Sequence, residues 1–224
     1  MESKIWYLER FNLFSDLNAN ERAFICKHTI MKTLDTGENV YFQDALANSV
    51  YFLKMGKIRI SKITSTGEEF ILSILEKGEI FGNSLLKNNH RTETAIVEEK
   101  VTYCIMTNDK FRELLLLSPA LNFKFSQLLE ERLEKFQEKL YNISSKNNEQ
   151  RIIDFLREKA HLSTKLYEGE IIIKNSLTHK KIAQLTNTSR QEVSRVLSAL
   201  RKNNLIEYNR KEIRILEPNL FNIV

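Results

Sequence analysis

A chain of 224 residues that is 42% hydrophobic and 28% charged, with only two prolines, has room for two domains of ordinary size and is neither disordered nor low in complexity. The first twelve residues hold no apolar run long enough for a signal peptide, and nowhere do eighteen apolar residues follow one another, so the expectation is a cytosolic protein that does not cross a membrane. The net charge of +5 is unevenly placed: residues 147–224 carry 14 Lys/Arg against 9 Asp/Glu, while the first 146 balance at 20 each, so the excess suits a polyanionic partner for the C-terminal part.

From Met31 to Met106 the text alternates in short runs rich in Val, Ile, Tyr and Phe, as in VYFLKMGKIRISKI, EEFILSILEKGEIFG and ETAIVEEKVTYCIM, which predict strands. Gly37, Gly56, Gly67, Gly78 and Gly82 punctuate them, and the spacing of eleven from 56 to 67 to 78 predicts repeated strand-and-turn units closing into a small antiparallel barrel or roll. Carboxylates and the four histidines are scattered without the clustering that a catalytic acid, base or nucleophile needs, so no enzyme and no metal site is expected. Cys26 and Cys104 form no CxxC pair and read as small core residues; two thiols fall short of the four that an iron–sulfur cluster takes.

A helical region follows from Asn108 to about Ser144, with a break at Ser118-Pro119, where proline is best tolerated as the first residue of a helix. Beyond the break Leu129, Leu133, Phe136, Leu140 and Ile143 recur at four, three, four and three, the a/d rhythm of a coiled coil, among Glu130, Glu131, Arg132, Glu134, Lys135, Glu138 and Lys139. Such a stripe fits either a dimer seam or packing on the strands. Two-fold symmetry favours the dimer, because the same stripe on two copies is self-complementary. Ser144 to Asn148 is the expected hinge.

The segment THKKIAQLTNTSRQEVSRVLSALRK, Thr178 to Lys202, predicts two short amphipathic helices about a tight turn. Thr178 is the N-cap of the first, with Ile182, Ala183 and Leu185 inward and His179, Lys180 and Lys181 in its exposed first turn. Asn187 suits a turn residue at positive φ, and Ser189 with Glu192 forms a capping-box pattern at the start of the second helix. In that helix Val193, Val196, Leu197 and Leu200 share one face, while Arg190, Gln191, Ser194, Arg195 and Ser198 share the other. Arg can grip guanine O6 and N7, and Gln adenine N6 and N7, so the outward face carries what major-groove readout requires. The competing interpretation is an ordinary solvated helix face. The expected base contacts are Arg190, Gln191, Ser194 and Arg195; the expected phosphate contacts are Thr178, Lys180, Lys181, Ser189, Ser198 and Lys202.

A glycine-punctuated roll, a long helix, a polar hinge and TSRQEVSRVLSALRKNNLIEYNRKEIRIL together resemble the cyclic-AMP receptor protein/FNR family along nearly the full chain. The resemblance implies an α+β protein. An N-terminal double-stranded β-helix, a jelly-roll-like β-roll, would be followed by a dimerisation helix (about 119–146) in a sensing domain 1–146, with a winged helix-turn-helix DNA-binding domain at 147–224 whose wing is Ile206 to Leu216. It also implies a homodimer on double-stranded DNA that contacts RNA polymerase, through the exposed Ser61–Glu69 and His161–Glu170 loops. Ser189, Arg190, Ser194 and Arg195 stand where the family's recognition-helix residues stand, and Gln191 replaces a glutamate, which implies a different half-site.

The family's cyclic-nucleotide cassette, FGE…RSA, stands here as Phe81-Gly82-Asn83 and Glu93-Thr94-Ala95. Glu93 sets an anion where the phosphate-binding arginine belongs, so cyclic AMP is expected to bind poorly unless a gap in the alignment recruits Arg91. Arg132 matches a family position near the nucleotide. Phe136 and Gln137 replace the Thr-Ser pair that reads adenine, and Phe136 would fill the space of the base. The effector is then another ligand or none, so no cofactor is fixed: family members that sense gases use haem, for which His28, His90, His161 and His179 are the candidate ligands, or an iron–sulfur cluster held by N-terminal cysteines absent here. A ligand-binding module acting on a protein partner is the alternative of a different class.

Overall fold

The computed structural model describes residues 12–64, 67, 69–82, 90–162, 166–167, 170–174, 178–209 and 212–218. The chain divides into two compact units, residues 1–133 and 134–224. The division falls inside the longest helix, earlier than the polar hinge at residues 144–148.

In the first unit six strands form one antiparallel system: β1 (Ile30–Leu34), β2 (Asn39–Tyr41), β3 (Ser49–Ile63), β4 (Glu69–Leu75), β5 (Ile80–Phe81) and β6 (Thr94–Thr107). The order is β1-β6-β3-β4, with β2 added to β6 and β5 to β3. β3 and β6 are 15 and 14 residues long, and their pairing slips register three times between Leu53 and Ile58. Such bulges raise the local twist and let a long ribbon curl into a roll. Gly56 sits at this bend with φ +86°, and a Cβ there would stand 2.1 Å from the Lys100 carbonyl oxygen, so only glycine fits.

Helix α1 (Ala19–His28) enters through a complete capping box, in which Asn18 accepts from the Glu21 N–H while the Glu21 carboxylate accepts from the Asn18 N–H. It packs with α2 (Asn108–Leu117) and the start of α3 (Pro119–Ser145) on one side of the roll, where Phe14, Ile25, Phe52, Met106, Phe111, Leu114 and Leu121 are buried together. Cys104 belongs to this core and Cys26 packs on it; both are free thiols. The interior of the roll is a separate cluster that includes Tyr41, Tyr51, Leu53, Ile58, Phe81, Val97 and Tyr103.

The break at Ser118-Pro119 is as the sequence predicts, and α3 then runs unbroken for 27 residues. Its stripe is open in the single chain, with Leu129, Leu133, Phe136 and Leu140 at 40%, 55%, 58% and 51% exposure and Ile143 half-buried. Phe136 and Gln137 are exposed. Both lie beyond the residues that make the first unit's core.

The second unit holds α4 (Asn148–His161), α5 (His179–Thr186) and α6 (Arg190–Lys202) with a four-stranded antiparallel sheet ordered β7-β8-β10-β9. Its strands are β7 (Leu166–Tyr167), β8 (Glu170–Lys174), β9 (Ile206–Tyr208) and β10 (Glu212–Ile215). Asn147 and Gln150 form a reciprocal capping box, which starts α4 just past the hinge. Ile152, Leu156, Ile173, Ile182, Val193, Val196, Leu197, Ile206, Ile213 and Ile215 make one core from all three helices and the sheet. The β9–β10 hairpin, with Ile213 opposite Tyr208 and Ile215 opposite Ile206, is the wing that the sequence placed at Ile206 to Leu216. Among the described residues no helix is long and apolar enough to cross a membrane.

Candidate nucleic-acid interface

Thr178 caps α5 by accepting the Lys181 N–H at 3.2 Å, and Asn187 ends the helix in the left-handed conformation at φ 52°, ψ 51°. A short polar side chain tolerates that backbone, so the turn needs no glycine. Leu185 is only half-buried. Thr186, which the sequence placed in the turn, is buried instead, its hydroxyl donating to the Ile182 carbonyl at 2.8 Å and so leaving no unpaired group. Ser189 caps α6 by accepting the Glu192 N–H at 3.1 Å. The other half of the expected capping box is not made, because the Glu192 carboxylate turns away to accept from Arg195 Nε at 2.7 Å.

The two faces of α6 fall as expected. Val193, Val196, Leu197 and Leu200 are buried, while Arg190, Gln191, Arg195 and Ser198 are exposed and Ser194 is half-buried. Ser189, Lys202, Thr178 and Lys180 are exposed on the same unit, and Lys181 is half-buried. Arg195 is flanked by two carboxylates, Glu192 and, at 3.2 Å from Nη2, Glu149 of the first turn of α4. Its hydrogen bond holds the Glu192 carboxyl below the usual range, and Glu192 in turn holds the guanidinium more firmly charged. Ser194 pairs with His179 Nδ1 at 2.8 Å, and the imidazole also tilts against the Tyr208 ring at 5.7 Å. Neither Glu149 nor His179 carried a local signal for these contacts, since each lies fifteen or more positions from its partner.

On the effector side, Arg91 is 3% exposed and belongs to the wall of the roll. Its guanidinium lies over the Tyr41 and Tyr51 rings at 4.5 and 5.4 Å and donates to the carbonyls of Gly82 and, at 2.6 Å, Ser49. Phe81 is buried and stacks on Tyr51 with centroids 5.0 Å apart. Gly82, at φ +67°, leaves room for both, since a Cβ there would stand 2.7 Å from Tyr51 and 2.8 Å from Arg91. The Glu93 carboxylate accepts from the Tyr41 hydroxyl at 3.2 Å and from Thr92. Burial first, and then this carboxylate, push the Tyr41 hydroxyl well above the ordinary tyrosine range. Thr94 is buried and accepts the Gln43 N–H at 3.0 Å. Arg132 donates to the Ile80 carbonyl, and burial lowers its pKa against the nearby Glu79. Asn83 lies outside the described residues, as do parts of the two loops expected to meet the polymerase.

Each histidine has its own setting: His28 tilts against Phe24, His90 is exposed on a bridge to Leu46, His161 is exposed at the end of α4, and His179 is taken by Ser194. Among the described residues no three His, Cys, Asp or Glu side chains gather as a metal would need.

Residues 31–117 match the cyclic nucleotide-binding domain family, and residues 150–221 match the Crp-like helix-turn-helix domain family. The chain is 25% identical over 93% of its length to a cyclic AMP receptor protein of Thermus thermophilus, covering 94% of that protein. It is 24% identical over 84% of its length to a global nitrogen regulator of Synechocystis sp., covering 85% of it. In fold it superposes on the structure of a CooA mutant from Carboxydothermus hydrogenoformans with a TM-score of 0.78, at 22% identity and 96% coverage of both chains. The relatives are transcription regulators rather than enzymes, and so is this chain. With a β-roll of the cyclic nucleotide-binding type ahead of a Crp-like winged helix-turn-helix, it belongs to the Crp/Fnr family of DNA-binding transcription regulators.

Proposed function

We propose that the chain acts as a cytoplasmic homodimer that reads a palindromic DNA site and is governed by an effector other than cyclic AMP. Residues 1–146 serve as sensor and dimeriser and residues 147–224 as reader. The observation that carries this reading is α6, whose exposed Arg190, Gln191 and Arg195 and half-buried Ser194 stand on a fully buried apolar stripe beside a wing. Those four side chains meet base edges, and Thr178, Lys180, Lys181, Ser189, Ser198 and Lys202 meet phosphates. The exposed stripe on α3 supplies the two-fold seam, and RNA polymerase is the further protein partner. Effector contacts on the roll and long helix shift a population whose two states differ at the hinge.

Selection from a random duplex pool tests this. The expected result is enrichment of a palindrome whose half-sites lie about 10–10.5 base pairs apart, centre to centre. Enrichment of nothing would sink the reading and favour a module that acts on a protein partner.

The exclusion of cyclic AMP rests on charge. Glu93 already holds the Tyr41 hydroxyl, and Arg91 is spent on two carbonyls and two aromatic faces. Binding a cyclic phosphate would have to break these contacts beside a fixed anion. Millimolar cyclic AMP should leave the melting temperature unchanged, because only a ligand that prefers the folded state raises it. A rise would show that Arg91 leaves its carbonyls for the phosphate.

A further inference from the structure

Arg151, in the first turn of α4, has no DNA contact assigned to it, yet all five N–H donors of its guanidinium are committed. Nε donates to the Thr186 carbonyl at 3.0 Å, and Nη2 donates to the Asn187 carbonyl at 2.9 Å and to Asn148 Oδ1 at 2.7 Å. Nη1 donates to the Lys146 carbonyl at 2.8 Å and to the Ile143 carbonyl at 3.3 Å. Four of the five acceptors belong to two helix ends: Ile143 and Lys146 close α3, while Thr186 and Asn187 close α5 and begin the turn into α6; Asn148 is on α4 itself.

Every α-helix leaves its last carbonyls unpaired and carries partial negative charge there. One cation between two such ends satisfies both at once, and because the guanidinium is planar with fixed donor directions, the four bonds to them also fix the angle between the ends. The same net reaches the reading face: the Asn148 side chain hydrogen-bonds Glu192, and Glu192 holds Arg195.

We propose that Arg151 is a positioning residue, a double helix cap that locks the end of the long helix to the turn of the helix-turn-helix and so sets the half-site spacing that the dimer accepts. This rests on the palindromic-dimer reading above. The two recognition helices are held apart by whatever joins each to its own long helix, and on the reader's side of the hinge Arg151 supplies that joint through four bonds. Lysine can replace the charge but offers three donors without a plane, so it can cap one end and cannot fix an angle.

The test uses the full-length protein and its variant Arg151→Lys, bound to a series of duplexes with one consensus half-site pair and spacers shortened or lengthened by one or two base pairs. The wild-type protein is expected to favour its best spacer over the next by about tenfold, and the variant by less than about threefold, with base preference inside each half-site unchanged. A variant that loses affinity equally at every spacer, or loses none, would reduce Arg151 to a stabilising cap and overturn the proposal. A wild-type protein indifferent to spacing, though it still selects the half-site, would remove the palindromic reading and this inference with it. Should Arg151→Lys fail to fold, Arg151→Gln, whose amide offers two donors in place of five, takes its place. It is expected to lose spacer preference in the same way, and a folded Arg151→Gln protein with unchanged spacing would equally overturn the proposal.

Discussion

Replacing Leu133 and Leu140 together with glutamate is expected to convert the dimer to monomers and to lower affinity for the palindrome by about 10²–10⁴-fold, the range lost when two linked binding events become independent. Both side chains are more than half exposed in the single chain and belong to neither unit's core, so the charges disturb no packing already made. Four carboxylates would instead face one another across the proposed seam of Leu129, Leu133, Phe136, Leu140 and Ile143. Burying like charges unpaired costs several kcal/mol for each. Sedimentation velocity at micromolar concentration, alongside a gel shift on the palindrome and on a single half-site, reads the effect. Half-site affinity should remain, since the reading face lies on α6. A double variant that still sediments as a dimer would move the interface elsewhere on the chain.

Elements governed by neighbours in sequence were legible in it. The Ser118-Pro119 break, the Thr178 and Ser189 caps, the left-handed Asn187 and the two faces of α6 all follow from residues within a turn of one another. The glycine spacing similarly foretold a roll, although the close approach of Gly56 to Lys100 depends on a partner strand that no spacing reveals. What escaped was settled by competition between partners, some within a turn and some far along the chain. Glu192 has the spacing of a capping box, but a guanidinium one turn away competes for its carboxylate and the charged pair wins over the neutral N–H. Arg91 has the residue type of a phosphate ligand, but the Ser49 carbonyl and the Tyr41 and Tyr51 rings, all forty or more positions away, hold it in the wall. Leu185 and Thr186 exchanged places because a hydroxyl that bonds back to its own helix can be buried as readily as a methyl group.

The Arg195→Ala variant is expected to lose about 1–3 kcal/mol of discrimination at one base pair of each half-site, whereas Lys181→Ala is expected to weaken all sequences alike and to reduce the salt slope by about one per subunit. The difference follows from what each side chain meets. Arg195 projects from the exposed face of α6 with its fork already oriented by Glu192 at 2.7 Å and Glu149 at 3.2 Å, so a guanine can replace the more distant carboxylate while the nearer one keeps the plane. Lys181 stands in the first turn of α5, where its backbone N–H completes the Thr178 cap whatever its side chain, so truncation removes a charge without opening the helix. Removing Arg195 also leaves two carboxylates near the DNA with no cation between them, so its overall affinity should fall as well, and the two effects separate only when every single-base variant of the half-site is titrated at several salt concentrations. An Arg195→Ala protein with unchanged base preference and uniformly lower affinity would make that arginine a phosphate contact, and would leave Arg190 and Gln191 to carry the readout.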